Sequence, residues 1–295
     1  MRTVMSELDS RPRPVRARTL RQALLVVAAA VLASTIVGVN LPAHAAQATT
    51  TTSHPSTSTR AATTTTVPDR LVARRDGKYN VLVIGDSLGT DLGGGLAWQL
   101  QSSTRINLIQ KGKSITGLAN AWYYNWPQHL NLFLTQYHPQ LLVVLLGGND
   151  EQGMNVNGSA APFNSPAWVR QYSKDVATMM NEAVAHHCAV LWVGMPIMYP
   201  NGYRQGMQVI NSIFAKVAKP KKHVTFLSTW KFFADAHGQF RFNAKVNGKL
   251  QAIRTADGIH PTSVGQNVLA TYIINEMQTQ YGLPAGARYP MRFTK

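Results

Sequence analysis

The chain holds a single cysteine among its 295 residues. Cys188 can close no intrachain disulfide and can join no thiolate metal cluster, so disulfide-stapled and zinc-ribbon scaffolds are excluded. Carboxylates are scarce as well, with 13 Asp and Glu against 29 Lys and Arg. They form no cluster with histidine at metal-ligand spacing, so no metal and no other cofactor is expected. The sequence carries no internal repeat. Its one dense basic run, Lys219-Pro-Lys-Lys-His223, has no interleaved aromatic platform. That argues against a nucleic-acid partner and reads as a solvated loop.

Only one long apolar run is present, Ala23–Val39. Arg11, Arg13, Arg16, Arg18 and Arg21 precede it and Leu41-Pro-Ala-His-Ala45 follows. This is the order of a secretory signal with cleavage after Ala45. The run is long for a signal core and short for a spanning helix. Residues 1–45 therefore read as a signal peptide or a retained anchor, with residues 23–39 as the membrane tether. Residues 46–69, rich in Thr, Ser and Pro, have no apolar face to bury and read as a flexible linker. Residues 70–295 are left as one α/β domain. Its expected location is secreted or envelope-associated, outside the cytoplasm, and its expected state is a monomer. The formal charge is +16, and residues 1–46, with six arginines and two acids, account for four units of it. The +12 that remains suits polyanionic wall polymers or anionic lipid headgroups.

Five short apolar runs recur in the domain: Val81–Ile84, Ile106–Ile109, Leu141–Leu146, Val190–Gly194 and Val224–Leu227. Each is bounded by Gly, Pro or polar residues and reads as a buried strand. Apolar residues at helical spacing fill Ser165–His187, Gly202–Ala218 and Ser263–Tyr281. Strands alternating with helices predict parallel crossovers: a three-layer α/β/α sandwich around a mainly parallel five-stranded sheet. Ligands of such sheets sit beyond the carboxyl ends of the strands.

Four blocks occupy those positions. Gly85-Asp-Ser-Leu88 follows the first strand, Lys111-Gly-Lys-Ser-Ile-Thr-Gly117 the second and Gly147-Gly-Asn-Asp150 the third. Asp257-Gly-Ile-His-Pro261 precedes the last helix. They supply a hydroxyl, a glycine turn, a side-chain amide and a carboxylate–imidazole pair, the parts needed for acyl transfer through a serine. Asp257 and His260 lie three apart, close enough for a turn to set the carboxylate on one ring nitrogen and leave the other to take a proton from Ser87. Pro261 is expected to open the closing helix. The backbone amides of Ser87 and Gly117 and the side chain of Asn149 can serve as oxyanion donors. A glycine at 117 lets the backbone approach a substrate with no Cβ in the way.

Plainer readings compete. A serine after a strand also serves as a helix cap, and Asn149-Asp150 and Asp257-Gly258 both suit turns. Trp122, Tyr123, Tyr124 and Trp126 read as part core and part active-site wall. Met195-Pro-Ile-Met198 reads either as adaptable core packing or as a binding element. His129, His138, His223 and His237 belong to no motif.

The four blocks in this order resemble the SGNH/GDSL hydrolase superfamily. Ser114-Ile-Thr-Gly-Leu118, Tyr123-Tyr-Asn-Trp-Pro127 and Arg254-Thr-Ala-Asp-Gly-Ile-His-Pro-Thr262 are similar to a narrower exported bacterial branch of it. The resemblance spans Tyr79 to Tyr281. It implies Ser87 as nucleophile, Asp257 and His260 as the rest of a triad, and Ser87, Gly117 and Asn149 as the oxyanion hole. One departure stands out. Many members carry Asn a few residues before the oxyanion glycine, where this chain has Gln110 and Lys111, which keeps Gly112 as a rival for Gly117. The expected activity is hydrolysis of a small-molecule or polysaccharide ester, with O-acyl groups on an envelope carbohydrate as first substrate class. An O-acyltransferase with the same triad and a catalytically idle glycan-binding module are the competing readings.

Overall fold

Strand β1, Tyr79–Gly85, is buried along its whole length, as a run of β-branched residues between two helical layers must be. The computed structural model describes residues 70–199 and 201–294. These lie in the larger of two units of the chain, Ala62–Lys295. The expected signal or anchor and the linker, residues 1–69, lie outside the described residues.

After β1 come α1 (Ser87–Leu100), β2 (Ile106–Gly112), α2 (Trp126–Tyr137) and β3 (Leu141–Leu145). A short hairpin of β4 (Met154–Val156) and β5 (Ser159–Ala161) precedes α3 (Pro166–Ala185) and β6 (Ala189–Val193). The chain continues through α4 (Asn201–Ala218), β7 (Val224–Leu227) and the single turn α5 (Trp230–Phe233). It closes with β8 (Asn243–Val246), β9 (Lys249–Ala252), α6 (Ser263–Tyr281) and β10 (Phe293–Thr294).

The main sheet has the order β2-β1-β3-β6-β7, and every pairing in it is parallel. This is the predicted α/β sandwich, with α1 packed on α6 in one layer and α2, α3 and α4 in contact in the other. Each predicted strand is present; β7 has the predicted bounds and the other four differ by one to three residues at one or both ends. The largest shift extends β2 from Ile109 to Gly112. Strand order reverses between β1 and β3, and such a switch point is where these sheets open a crevice.

Register brings the blocks level. Gly85 pairs with Gly112 on one side and with Leu145 on the other, so the chain leaves all three strands at the same edge. Gly85 makes the exit tight. Its φ is +149°, and the Leu145 carbonyl occupies the space a Cβ would need, so only glycine fits.

No covalent staple holds this core. Val81, Leu82, Ile84, Leu141–Val144 and Val190–Val193 are fully or almost fully buried, and each such side chain contributes about 1.5–3 kcal/mol on leaving water. Trp168 stacks on Tyr172 at 4.4 Å between ring centroids in the α3 layer. Cys188 is buried beside Ala189, and burial pushes its thiol well above the usual range. It is inert packing.

Candidate active site

Asp86, not Ser87, caps α1. Its Oδ1 accepts the Leu88 N–H at 2.9 Å, and its Oδ2 accepts Gly147 N–H at 3.0 Å and Gly148 N–H at 2.7 Å. One buried carboxylate thus ties the turn that carries Ser87 to the loop that carries Asn149. Burial pushes the Asp86 carboxyl up to about 6, against the opposing pull of those three backbone donors. With the cap supplied by its neighbour, the Ser87 hydroxyl is released from that role. Ser87 is the first residue of α1, half-buried, at the positive end of the helix.

The hydroxyl has another partner. Ser87 Oγ lies 2.8 Å from His260 Nε2, and His260 Nδ1 lies 2.7 Å from Asp257 Oδ2. The structure therefore joins three of the residues singled out from sequence in one hydrogen-bonded chain. Burial pushes the Asp257 carboxyl up, but hydrogen bonds from Thr255 Oγ1, the His260 ring, and the Ile259 and His260 N–H groups outweigh it. The net effect holds Asp257 well below the usual carboxylate range. Asp257 and His260 side chains remain 44% and 36% exposed.

The turn that presents His260 is not a helix start. The last helix begins at Ser263 with Thr262 as its N-cap, so Pro261 stands outside it, contrary to expectation. Pro261 is instead engaged in an isolated bridge with Arg254. Thr255 N–H donates to the His260 carbonyl at 2.9 Å, so His260 is held by a closed loop.

Arg254 was missed by sequence reasoning although it lies in one of the quoted motifs. It is 4% exposed, and its guanidinium lies 4.5 Å from the centre of the Phe233 ring. It donates to the Ile259 carbonyl at 3.5 Å and the Ile197 carbonyl at 3.4 Å. Burial pulls it down to about 10, with Asp257 acting in the opposite sense, so it is a cation at neutral pH. It locks the His260 turn to the segment after β6. Met195, Ile197 and Met198 of that segment are buried, which favours the packing role for it. Tyr199, next along, donates its N–H to Gly258 O at 3.2 Å and stands with Phe240 and Phe242 beside the turn.

On the opposite side, Asn149 Nδ2 donates to Thr116 O at 2.9 Å, which ties the third block to the second and leaves the second amide hydrogen unused. Asp150 is fully buried, receiving Ala119 N–H at 2.9 Å and the Tyr172 hydroxyl at 2.7 Å. Burial pushes its carboxyl up, and those bonds partly offset it. Gly117 is buried where the Asp150 carboxylate occupies the space of a Cβ. The reason for glycine at 117 is therefore this carboxylate, in place of the expected clearance for substrate. The rival Gly112 is the exposed last residue of β2, with Thr90 of α1 packed against it. Of the aromatic strip, Trp126 is buried and donates to Thr116 Oγ1 at 3.0 Å, while Trp122 is 87% exposed.

Two further acids, Asp91 beside the triad and Glu151 in the loop after Asn149, gave no sequence signal. Burial raises the Asp91 carboxyl, and the charges of His260 and Asp257 act on it in opposite senses. It accepts from Gln266 at 2.9 Å. Glu151 packs its carboxyl against Gly206, and its Oε2 has no hydrogen-bond partner.

Among known proteins, a family model described as "Protein of unknown function (DUF459)" matches residues 80–276. No curated protein matches the sequence significantly. The solved structures include a protein described as a candidate acylhydrolase from Bacteroides fragilis, with 17% identity and a TM-score of 0.51, covering 70% of this chain and 90% of its own. The structure of TesA gives 22% identity and a TM-score of 0.46, covering 68% of this chain and 98% of its own. A catalytic mutant of Axe2, an acetylxylan esterase from Geobacillus stearothermophilus, gives 16% identity and a TM-score of 0.47, covering 68% and 95%. The first of these likenesses is one of fold.

Proposed function

The chain belongs to the DUF459 family, and from the geometry at Ser87 we propose that it is an exported serine esterase working through a Ser87–His260–Asp257 triad. The observation that carries this reading is the hydrogen-bonded chain from Ser87 Oγ through His260 to Asp257, at 2.8 and 2.7 Å.

In this reading Ser87 Oγ attacks the ester carbonyl as its proton passes to His260 Nε2. The Ser87 and Gly117 N–H groups and the spare Asn149 N–H stabilise the oxyanion that forms. His260 then gives its proton to the departing alcohol, leaving Ser87 acylated. A water takes the alcohol's place, His260 draws its proton, and a second oxyanion collapses to release the acid and restore Ser87 Oγ–H. Asp257 stays ionised throughout, orienting the ring and stabilising the imidazolium. The exposure of His260 and Asp257 favours water over a sugar hydroxyl as the second acceptor, because transfer needs a site that excludes water. The expected leader, linker and basic charge point to O-acyl groups on an envelope carbohydrate as substrate.

Rates against p-nitrophenyl acetate and butyrate, with Ser87→Ala as control, test this reading. Turnover abolished in Ser87→Ala, with circular dichroism unchanged, is the expected result. Wild-type turnover in that variant rejects Ser87 as nucleophile.

A further inference from the structure

The loop between β2 and α2 that carries Gly117 has a second side. There, Leu118 and Ala119 line a cavity of about 350 Å³ whose other walls come from the start of α2, from β4 and from α3. That is within the roughly 300–1,000 Å³ range of small-molecule sites. The cavity starts one residue from Gly117, and the Cα atoms of Gly117 and Ala119 are at most about 7 Å apart along the chain.

Its lining is mixed in a particular way. Trp122 stands at the mouth, 87% exposed, and Met154 contributes apolar surface. Asn125, Asn155, Gln171 and Asp175 bring polar groups. Asn125 Oδ1 accepts Gln128 N–H at 3.1 Å and Asn155 Oδ1 accepts Gly158 N–H at 2.8 Å. Each amide is thereby fixed with its Nδ2 left to donate. Asp175 Oδ1 accepts from Gln171 at 2.8 Å, which leaves Oδ2 as an acceptor. A rigid aromatic face beside fixed donors and an acceptor matches a sugar ring, whose C–H face is apolar and whose hydroxyls both donate and accept. Among the described lining residues none is a lysine or arginine, although the chain as a whole carries +16. A phosphate or polyanion would meet no cation there and one carboxylate, Asp175, and a lipid tail would leave the polar groups of Asn125, Asn155 and Asp175 without partners.

We propose that this cavity binds an uncharged saccharide unit, the carrier of the ester presented to Ser87. The link to the ester rests on the esterase reading; the saccharide site does not.

Calorimetric titration of the full chain with xylotriose, cellotriose and chitotriose tests the site. At least one of the three is expected to bind wild type and Ser87→Ala alike. Trp122→Ala and, separately, Asp175→Asn are expected to weaken that binding about tenfold, the size of one lost stacking or hydrogen-bond contact. Absence of binding by all three at about 10 mM, ten times a millimolar Kd, overturns the proposal. So does binding that both variants leave intact. A protein that binds a saccharide but cleaves no ester keeps this site and loses the esterase reading. One that cleaves esters but binds no saccharide does the reverse.

Discussion

The Asp150 carboxylate fills the space that a Cβ on Gly117 would need. A buried acid from the loop after β3 therefore dictates a glycine on the loop after β2, and the two loops hold their relative position only while both residues are kept.

Gly117→Ala is expected to push these loops apart. Overpacking of this kind costs about 1–3 kcal/mol, so the midpoint of thermal unfolding falls. Ester turnover is expected to fall with it, since Gly117 N–H and Asn149 move relative to Ser87. An alanine variant with wild-type melting and turnover would show that the loops adjust freely.

Asp86→Asn reports on the tie between the Ser87 turn and the Asn149 loop. Burial raises the Asp86 carboxyl from the usual 3.8 to about 6, so between those values the folded protein binds more protons than the unfolded chain. That contribution to stability is present below about pH 4 and is lost as pH rises through about 6. The advantage of wild type over Asp86→Asn is thus expected to shrink from pH 4 to pH 7, by at most about 3 kcal/mol. Urea unfolding of both proteins across that range measures it, and a gap that widens with pH contradicts the burial account.

Asn149→Ala is expected to lower kcat by about 10²–10³, the effect of removing one oxyanion donor, with KM little changed. The variant also loses the bond to Thr116 O, so its unfolding midpoint has to be measured beside its kinetics. Asn149→Asp sets a carboxylate against both that carbonyl and the developing oxyanion, and is expected to be the more damaging change. Equal, mild losses in the two variants would leave Asn149 as a turn residue.

Arg254→Lys keeps the charge but replaces the planar fork that reaches two carbonyls with a point donor. Both contacts are long, at 3.5 and 3.4 Å, so each is worth about 0.5–1.5 kcal/mol, below the usual value for a charged donor. Lower stability and lower turnover together are expected, because the His260 turn loses its tie to the segment after β6. A variant equal to wild type in both would make Arg254 a bystander.

Much of this was readable from sequence for physical reasons. Buried parallel strands have no polar face to interrupt them, so Leu141–Leu146 or Val81–Ile84 announce themselves as unbroken apolar runs. The four blocks stood out because each follows a strand or precedes a helix, which is where the sheet opens. Hidden were features that depend on distant partners. Nothing near Gly117 in sequence announces Asp150, and nothing near Arg254 announces Phe233 or Ile197. Pro261 looked like a helix start because it satisfies the local rule for one, yet its bridge to Arg254 delays the helix until Thr262 can cap it. The hairpins β4–β5 and β8–β9 are three or four residues per strand and half exposed, too short to leave a periodic signal. Asp86 was within reach, since an acid just before a helix is a cap signature.

The central claim is that the Ser87 hydroxyl is activated by His260 and attacks an acyl carbonyl. A fluorophosphonate probe followed by peptide mapping tests it most directly, because the probe bonds only to a serine whose proton is being drawn away. The expected result is one modified residue, Ser87, with labelling abolished in His260→Ala. Labelling of another serine, or equal labelling of Ser87 without His260, would contradict the account.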